Sequence, residues 1–159
     1  MKTHRTIPSI IFFIVLLVTA CSFDSGKTEI TVSFPKHIWN RFDIVDTVFT
    51  ISDVKRTYDI SVSLSVMDGF KLDRVPFETV ITSPDGQQNI LNRVFVTKND
   101  EGHHIGTVHG DVWTVRQSIY TDKEFTEAGE YRISIQNRTQ YFELFKTESL
   151  HISIIPVKK

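Results

Sequence analysis

A strict alternation of apolar and polar residues over positions 58–66 constrains the fold more than any other feature of the chain. Apolar side chains occupy the even positions, and Asp59 and three serines occupy the odd positions between them. A period of two places successive side chains on opposite faces of an extended backbone, so this segment predicts a β-strand with one face in a core. The same alternation recurs in Tyr131–Ile135 and Leu150–Ile154.

Further runs are rich in residues that favour strands, namely Ile30–Phe34, Ile44–Ser52, Val75–Thr82, Ile90–Thr97, Ile105–Val108 and Val112–Tyr120. Turn signals separate several of them, at Ser83–Gly86, Asn99–Gly102 and Glu127–Gly129. Phe142–Thr147 is expected to form a short helical turn. About eight or nine short strands on one core predict an all-β, antiparallel β-sandwich of the Ig-like or jelly-roll-like kind.

The amino-terminal segment has the pattern of a secretory signal peptide. Lys2 and Arg5 precede the apolar run Ile10–Val18, and small residues lead to Cys21. Val18-Thr19-Ala20-Cys21 resembles the lipobox of bacterial lipoproteins, in which cleavage precedes a cysteine that becomes lipidated. The chain has only this one cysteine. The apolar run is too short and too interrupted to favour an uncleaved transmembrane anchor.

We therefore predict three regions. Residues 1–20 form a lipoprotein signal peptide, residues 21–27 carry the lipidated Cys21 and a flexible polar tether, and residues 28–159 form one β-sandwich domain. Because two or more acyl chains, such as palmitate, hold a protein firmly on a bilayer, the anchor needs no spanning helix.

Charge and motifs argue against several function classes. The formal net charge is only −1, and the sequence shows no basic stripe of the kind that binds nucleic acid. No nucleic-acid partner is therefore expected. The chain has no Gly-x-Ser-x-Gly elbow and no phosphate-binding loop, and its one cysteine is assigned to acylation. We therefore expect a non-enzymatic protein without a cofactor.

The histidines are the obvious place to look for a metal site. The histidines His103, His104 and His109 lie near three carboxylates, those of Asp100, Glu101 and Asp111. On a strand, His104 and His109 would point to opposite faces, and six residues would separate His103 from His109 by roughly 20 Å. We therefore predict that no metal is bound, with a bend at this segment as the exception.

The aromatic residues could form a platform for a sugar, although a compact sandwich also needs them in its core. Trp39 lies outside any clear strand, which predicts an exposed ring, and Trp113 is the second candidate for ligand or partner contact. Tyr131 follows Gly129 at the start of a strand, which is typical either of a tyrosine corner or of an ordinary core tyrosine.

The mature chain resembles the GldH gliding-motility lipoproteins of the Bacteroidetes from about Glu29 to Ile154. The residues that carry this resemblance are the lipobox, Phe34-Pro35 with Trp39, Phe49, Tyr58-Asp59-Ile60, Gly102 to Gly106, and Phe125 with Gly129 to Ile133 and Gln136. The stretch Val66–Asp73 differs from the usual family pattern after the Tyr-Asp strand.

The resemblance implies a lipid-anchored protein of the cell envelope that acts in protein interaction or assembly of gliding and secretion-associated machinery. The alternative from the residues is a lipid-anchored carbohydrate-binding module. The tether offers only Asp24 as an acidic residue, which in Bacteroidetes resembles lipoproteins that stay inside the cell surface. We therefore expect the domain on the outer membrane, facing the periplasm.

Overall fold

The computed structural model describes residues 26–157, and the predicted signal peptide with Cys21 lies outside the described residues. The described chain is all-β, and its antiparallel sheets pack as a sandwich. The strands are β1 (Thr28–Ser33), β2 (Ile38–Asn40), β3 (Val45–Ile51), β4 (Thr57–Met67), β5 (Arg74–Thr82), β6 (Gln88–Val96), β7 (Thr107–His109), β8 (Val112–Glu124), β9 (Gly129–Asn137), β10 (Glu143–Phe145) and β11 (Thr147–Val157). A short 3-10 turn, Pro35–His37, joins β1 to β2.

Two large sheets and one small ribbon account for these strands. The five-stranded sheet has the order β1-β11-β4-β8-β7, and the four-stranded sheet has the order β3-β9-β5-β6. The ribbon consists of β2 and β10. Non-consecutive neighbours in both sheets mean that the chain crosses repeatedly between them, as in other sandwiches. The predicted sandwich is therefore confirmed.

The alternating segment forms β4, the central strand of the five-stranded sheet. The side chains of Ile60, Val62 and Leu64 are completely buried against the four-stranded sheet, as the even positions predict. The serines on the opposite face are less open than expected, because Ser61 is also buried. It lies between Ser153 of β11 and Ser118 of β8. A central strand has neighbours on both sides, so small outward side chains are covered as well.

The predicted helical turn at Phe142–Thr147 is wrong. Glu143–Phe145 is instead the strand β10, whose Leu144 faces Trp39 of β2 in the ribbon. The chain then bends at Lys146, which has a φ of 65°, before β11 begins. The backbone groups of this segment form hydrogen bonds with β2, about a hundred residues earlier in the chain, and not with each other as in a helical turn.

Four aromatic rings close one end of the sandwich core. Phe125 packs edge-on against Tyr58 and Tyr131, and Phe49 stacks on Tyr131 at 5.6 Å between ring centroids. The Tyr131 hydroxyl donates to the carbonyl of Glu127 at 2.9 Å. This bond to backbone four residues upstream is the tyrosine-corner geometry that the sequence suggested. Burial raises the pKa of Tyr131, so its phenol stays protonated and able to donate.

Replacing Ile60 with aspartate tests the register of β4. The Ile60→Asp variant should lose more than about 4 kcal/mol of unfolding free energy, since it buries an unpaired charge in the core. Ser63→Asp is the matched control, because Ser63 is only half-buried on the opposite face and lies beside Arg116 of β8. It should cost less than about 1 kcal/mol. Urea unfolding measures both, and equal losses would contradict the register.

Candidate functional site

The ribbon of β2 and β10 determines where the candidate residue Trp39 lies. Its side chain is 0 % exposed. The expectation that Trp39 lies outside any strand with an exposed ring is therefore wrong. Its ring stacks on Phe34 with 5.1 Å between the centroids, and its Nε1 donates to the carbonyl of Asp43 at 3.0 Å. These contacts fasten the ribbon to the sandwich, so the function of Trp39 is structural.

The outer side of the ribbon and its connections present aromatic side chains to solvent. Four of them, each between 48 % and 66 % exposed, are Phe42, Tyr141, Phe142 and Phe145. We call these four residues the distal aromatic cluster. The rings of Phe42 and Phe142 contact each other at 5.8 Å between centroids. Tyr141, which precedes Phe142 in the chain, lines a groove together with Phe145. Neighbouring exposed aromatic rings are typical of an interaction surface, whereas single exposed apolar residues are ordinary.

Hydrogen bonds fix the backbone that carries the cluster. The N–H of Arg41 donates to the carbonyl of Phe142 at 2.7 Å, which extends the pairing of β2 with β10 by one residue. The N–H of Phe42 donates to Oδ1 of Asn40 at 2.9 Å. Gln136 of β9 donates through Nε2 to the carbonyl of Arg41 at 3.1 Å. The cluster therefore lies on backbone bonded to the sandwich, and binding would not require this backbone to become ordered first.

An open, mainly apolar groove adjoins the cluster. Its volume is about 370 Å³, and it lies between Tyr141 and Phe145 on one side and Phe70 and Leu72 on the other. The loop that carries Phe70 follows β4 directly. Lys146 holds this loop, because its Nζ donates to the carbonyl of Asp68 at 2.6 Å. The groove therefore has two walls from distant parts of the sequence.

The distal aromatic cluster and the tether lie at opposite ends of the sandwich. Gly26, the first described residue, sits against Pro156 near the end of β11. From there β1 runs the length of the sheet to Ser33, and the ribbon begins a few residues later. Six strand residues span about 20 Å. The cluster therefore lies on the side of the domain away from the predicted lipid anchor.

Trp113, the second candidate, is half-buried on β8. Its ring stacks on His104 with 5.6 Å between the centroids. One face of the indole is thus covered by the imidazole, and its contact with a ligand or partner stays a prediction. Trp113 and Trp39 do not form one site, because Trp39 is enclosed in the ribbon.

The histidines do not converge. His103 pairs with Glu101 at 3.4 Å between Nδ1 and Oε2, His104 lies on Trp113, and His109 is an exposed residue of β7. Among residues 26–157, no three histidine, cysteine or carboxylate side chains are grouped so that they could hold a metal ion.

A second concavity, of about 280 Å³, lies at the tether end of the sandwich. It is polar, with Asp85, Lys123 and Glu127 among its lining residues and the half-buried Tyr120 on one side. Burial raises the pKa of Tyr120, and hydrogen bonds from Ser83 lower the pKa of Asp85. The lining offers polar groups beside three aromatic rings, since Phe125 and Tyr131 contribute to it as well as Tyr120.

Sequence reasoning missed the distal aromatic cluster. It assigned most aromatic residues to the core and singled out a tryptophan that proves to be buried. One sequence signal was available, since Phe42 and Phe142 each stand beside charged residues and outside an alternating run. That signal does not show that two segments about a hundred residues apart meet in one ribbon.

Replacing Trp39 tests its structural assignment. Trp39→Ala should lower the free energy of unfolding by about 3–5 kcal/mol, because it leaves a cavity beside Phe34. Trp39→Phe should cost less, since it keeps a ring to stack and loses the bond to Asp43. Thermal unfolding measures both variants. An alanine variant as stable as the original protein would show that Trp39 is not a core residue.

Comparisons with known proteins place the chain in a family. A solved structure with a similar arrangement, the infectious bursal disease virus VP2 subviral particle, has a TM-score of 0.37 and 10 % sequence identity. The match covers 82 % of this chain and 32 % of the viral chain, so the domain spans about a third of that protein. A search of curated proteins finds no match. The model of the GldH lipoprotein family matches residues 28–153, which include nearly every described strand, and the chain therefore belongs to the GldH lipoprotein family.

Proposed function

We propose that this protein is a lipid-anchored assembly component of gliding or secretion-associated machinery, and that it binds a partner protein through the distal aromatic cluster. Membership of the GldH lipoprotein family supports the lipid anchor and the envelope location. The single observation that carries the binding function is the group of exposed rings on the ribbon. No catalytic activity forms part of the proposal.

The length of the tether supports this orientation. Five peptide steps separate Cys21 from Gly26, and each spans at most about 3.6 Å, so the tether reaches about 18 Å when fully extended. The tether end of the domain is therefore held near the bilayer, and the cluster faces away from it. Within residues 26–157, no helix has the length and hydropathy needed to cross a bilayer. We infer that the cluster meets a protein and not the anchoring lipid.

The chemistry of the cluster indicates what kind of partner it fits. Aromatic residues are enriched at the centres of protein interfaces, where a polar rim surrounds them. Here the rim has both signs of charge, with Lys71 and Arg41 beside Asp43 and Glu143. A mixed rim favours a partner with an apolar protrusion and no strong net charge. An apolar side chain of that partner would occupy the groove between Tyr141 and Phe70.

The carbohydrate-binding alternative has less support. It depended on exposed tryptophan rings, and Trp39 is enclosed in the ribbon. Trp113 has one face against His104. We therefore keep the protein-interaction function as the proposal and treat glycan binding as an outcome that a test must distinguish.

Crosslinking in intact envelopes tests the proposal. Phe42→Ser together with Phe142→Ser in the tagged full-length protein should abolish a specific crosslinked complex, because the change removes the apolar contact. Stability should change little, since both side chains are largely exposed.

Val54→Ser is the matched control. Val54 is an exposed apolar residue in the loop between β3 and β4, at the tether end. This variant should keep the complex. Loss of the complex in both variants, or in neither, would contradict the placement of the binding surface. Binding to an envelope glycan in place of a protein would favour the alternative.

Location of the domain is tested by protease treatment. Intact cells should protect the domain, and permeabilising the outer membrane should expose it, if it faces the periplasm. Digestion in intact cells would contradict the periplasmic location.

Replacing Cys21 tests the lipid anchor. The Cys21→Ser variant should remain an unprocessed precursor without lipid. A mature lipidated form of this variant would contradict the anchor.

A further inference from the structure

The free edge of β6 differs from the other sheet edges of the sandwich. Four strands lie at the edges of the two large sheets, namely β1, β3, β6 and β7. Within the described chain, β8 also has no strand on its outer side beyond Thr114, because β7 pairs only with Val112–Thr114. That part of β8 carries four charged residues, Arg116, Asp122, Lys123 and Glu124. The strand β7 has 3 residues, β1 carries Glu29 in an ion pair with Lys27, and β3 carries Asp46 bound by Arg132. Short length and charge are common ways to protect an edge from pairing with another chain. The strands β1 and β3 carry one charged residue each, as β6 does with Arg93, but β6 is the longest of these four strands, with 9 residues.

The hydrogen-bond register shows which groups of β6 face outward. The N–H of Ser83 bonds to the carbonyl of Gln87, and the N–H of Thr97 bonds to the carbonyl of Asp73. Bonded and non-bonded pairs alternate in an antiparallel ladder, so the odd residues of β6 bond to β5. Pro76, which has no N–H, lies opposite Val94 in a non-bonded pair, as this register requires.

It follows that the even residues of β6 direct their N–H and carbonyl groups to the free edge. These residues are Gln88, Ile90, Asn92, Val94 and Val96. Within the described chain, the one bond recorded for these edge groups is from Nη1 of Arg93 to the carbonyl of Asn92, at 3.0 Å. That bond comes from an exposed, adjacent side chain, which rotamer motion can release.

The sequence of β6 is complementary to itself in the antiparallel direction. With Asn92 facing Asn92 of a second copy, Ile90 faces Val94, and Leu91 faces Arg93. Ile90 and Val94 are 56 % and 37 % exposed, and pairing would cover both. The next strand continues the apolar rows, because Val80 lies opposite Ile90, and Pro76 lies opposite Val94. No like charges face each other in this register. If the two-fold axis passed through Arg93 and not Asn92, the Arg93 side chains of the two copies would face each other.

We infer that β6 is a docking edge for a second copy of this chain. Two copies join by an antiparallel β6–β6 pair with its two-fold axis at Asn92, so that the two four-stranded sheets become one continuous sheet. Residues with outward backbone groups exchange hydrogen bonds across the axis, and the bond from Arg93 to Asn92 is replaced. This inference does not rest on the proposed function, because β6 is not part of the distal aromatic cluster.

Disulfide crosslinking of the full-length, lipid-anchored protein in its membranes tests the pairing. Asn92→Cys should form a disulfide-linked dimer on mild oxidation, because facing residues have Cα atoms about 5.5 Å apart, within the range that a disulfide spans. Gln88→Cys is the matched control, since Gln88 shares the strand, face and exposure of Asn92. Its two copies would be about 27 Å apart, so no dimer should form.

A second pair of variants keeps the test independent of any one substitution. Ile90→Cys and Val94→Cys, produced together with different tags, should crosslink with each other, and neither should crosslink with itself. Adding Asn92→Asp to both should reduce that crosslink several-fold, because it places like charges directly opposite each other. The protein with only its native Cys21 is the blank.

Three results would overturn the inference. They are no dimer from Asn92→Cys, equal dimer from Gln88→Cys, or a crosslink from Asn92→Cys to a different protein. None of these results bears on the distal aromatic cluster, whose own test uses Phe42 and Phe142. A dimer from Asn92→Cys and from the mixed pair, but not from Gln88→Cys, would establish both the pairing and its register.

Discussion

The whole structure depends on covering the apolar face of β4. This strand lies at the centre of the five-stranded sheet, and Ile60, Val62 and Leu64 on its inner face are completely buried. A single sheet cannot hide such a face from water, so the four-stranded sheet must pack against it. Burying large aliphatic side chains contributes about 1.5–3 kcal/mol for each. The closing aromatic rings and the ribbon extend the same core toward its two ends.

Packing at the two ends of the sandwich separates the predicted anchor from the proposed binding surface. At one end, Phe49, Tyr58, Phe125 and Tyr131 close the core near Gly26, where the tether enters. At the other end, Trp39 seals the core from inside the ribbon. Trp39 of β2 and Leu144 of β10 take the inner positions of the ribbon, whereas Phe145, next to Leu144, is exposed to solvent.

Much of the fold was predictable because period-two patterning is a local signal. The predicted segments of β3, β5, β6 and β9 lie within a few residues of the observed strands. The tyrosine corner at Tyr131 was also suggested by the spacing from Gly129. The candidate site was far less predictable. Trp39 has the residue type and the position expected of an exposed ligand contact, and only its stacking on Phe34 shows otherwise.

The sequence by itself determined the strand-forming segments, the core face of β4 and the resemblance to GldH lipoproteins, and it predicts the lipidation of Cys21. Each of these follows from residue type and short-range spacing. The tertiary structure decided that Glu143–Phe145 is a strand, that Trp39 is buried, and that β6 has a free edge. These properties depend on pairing between segments far apart in the chain, about a hundred residues in the case of the ribbon. Local periodicity carries no information about which strands become neighbours, and the neighbours decide which side chains and backbone groups remain exposed.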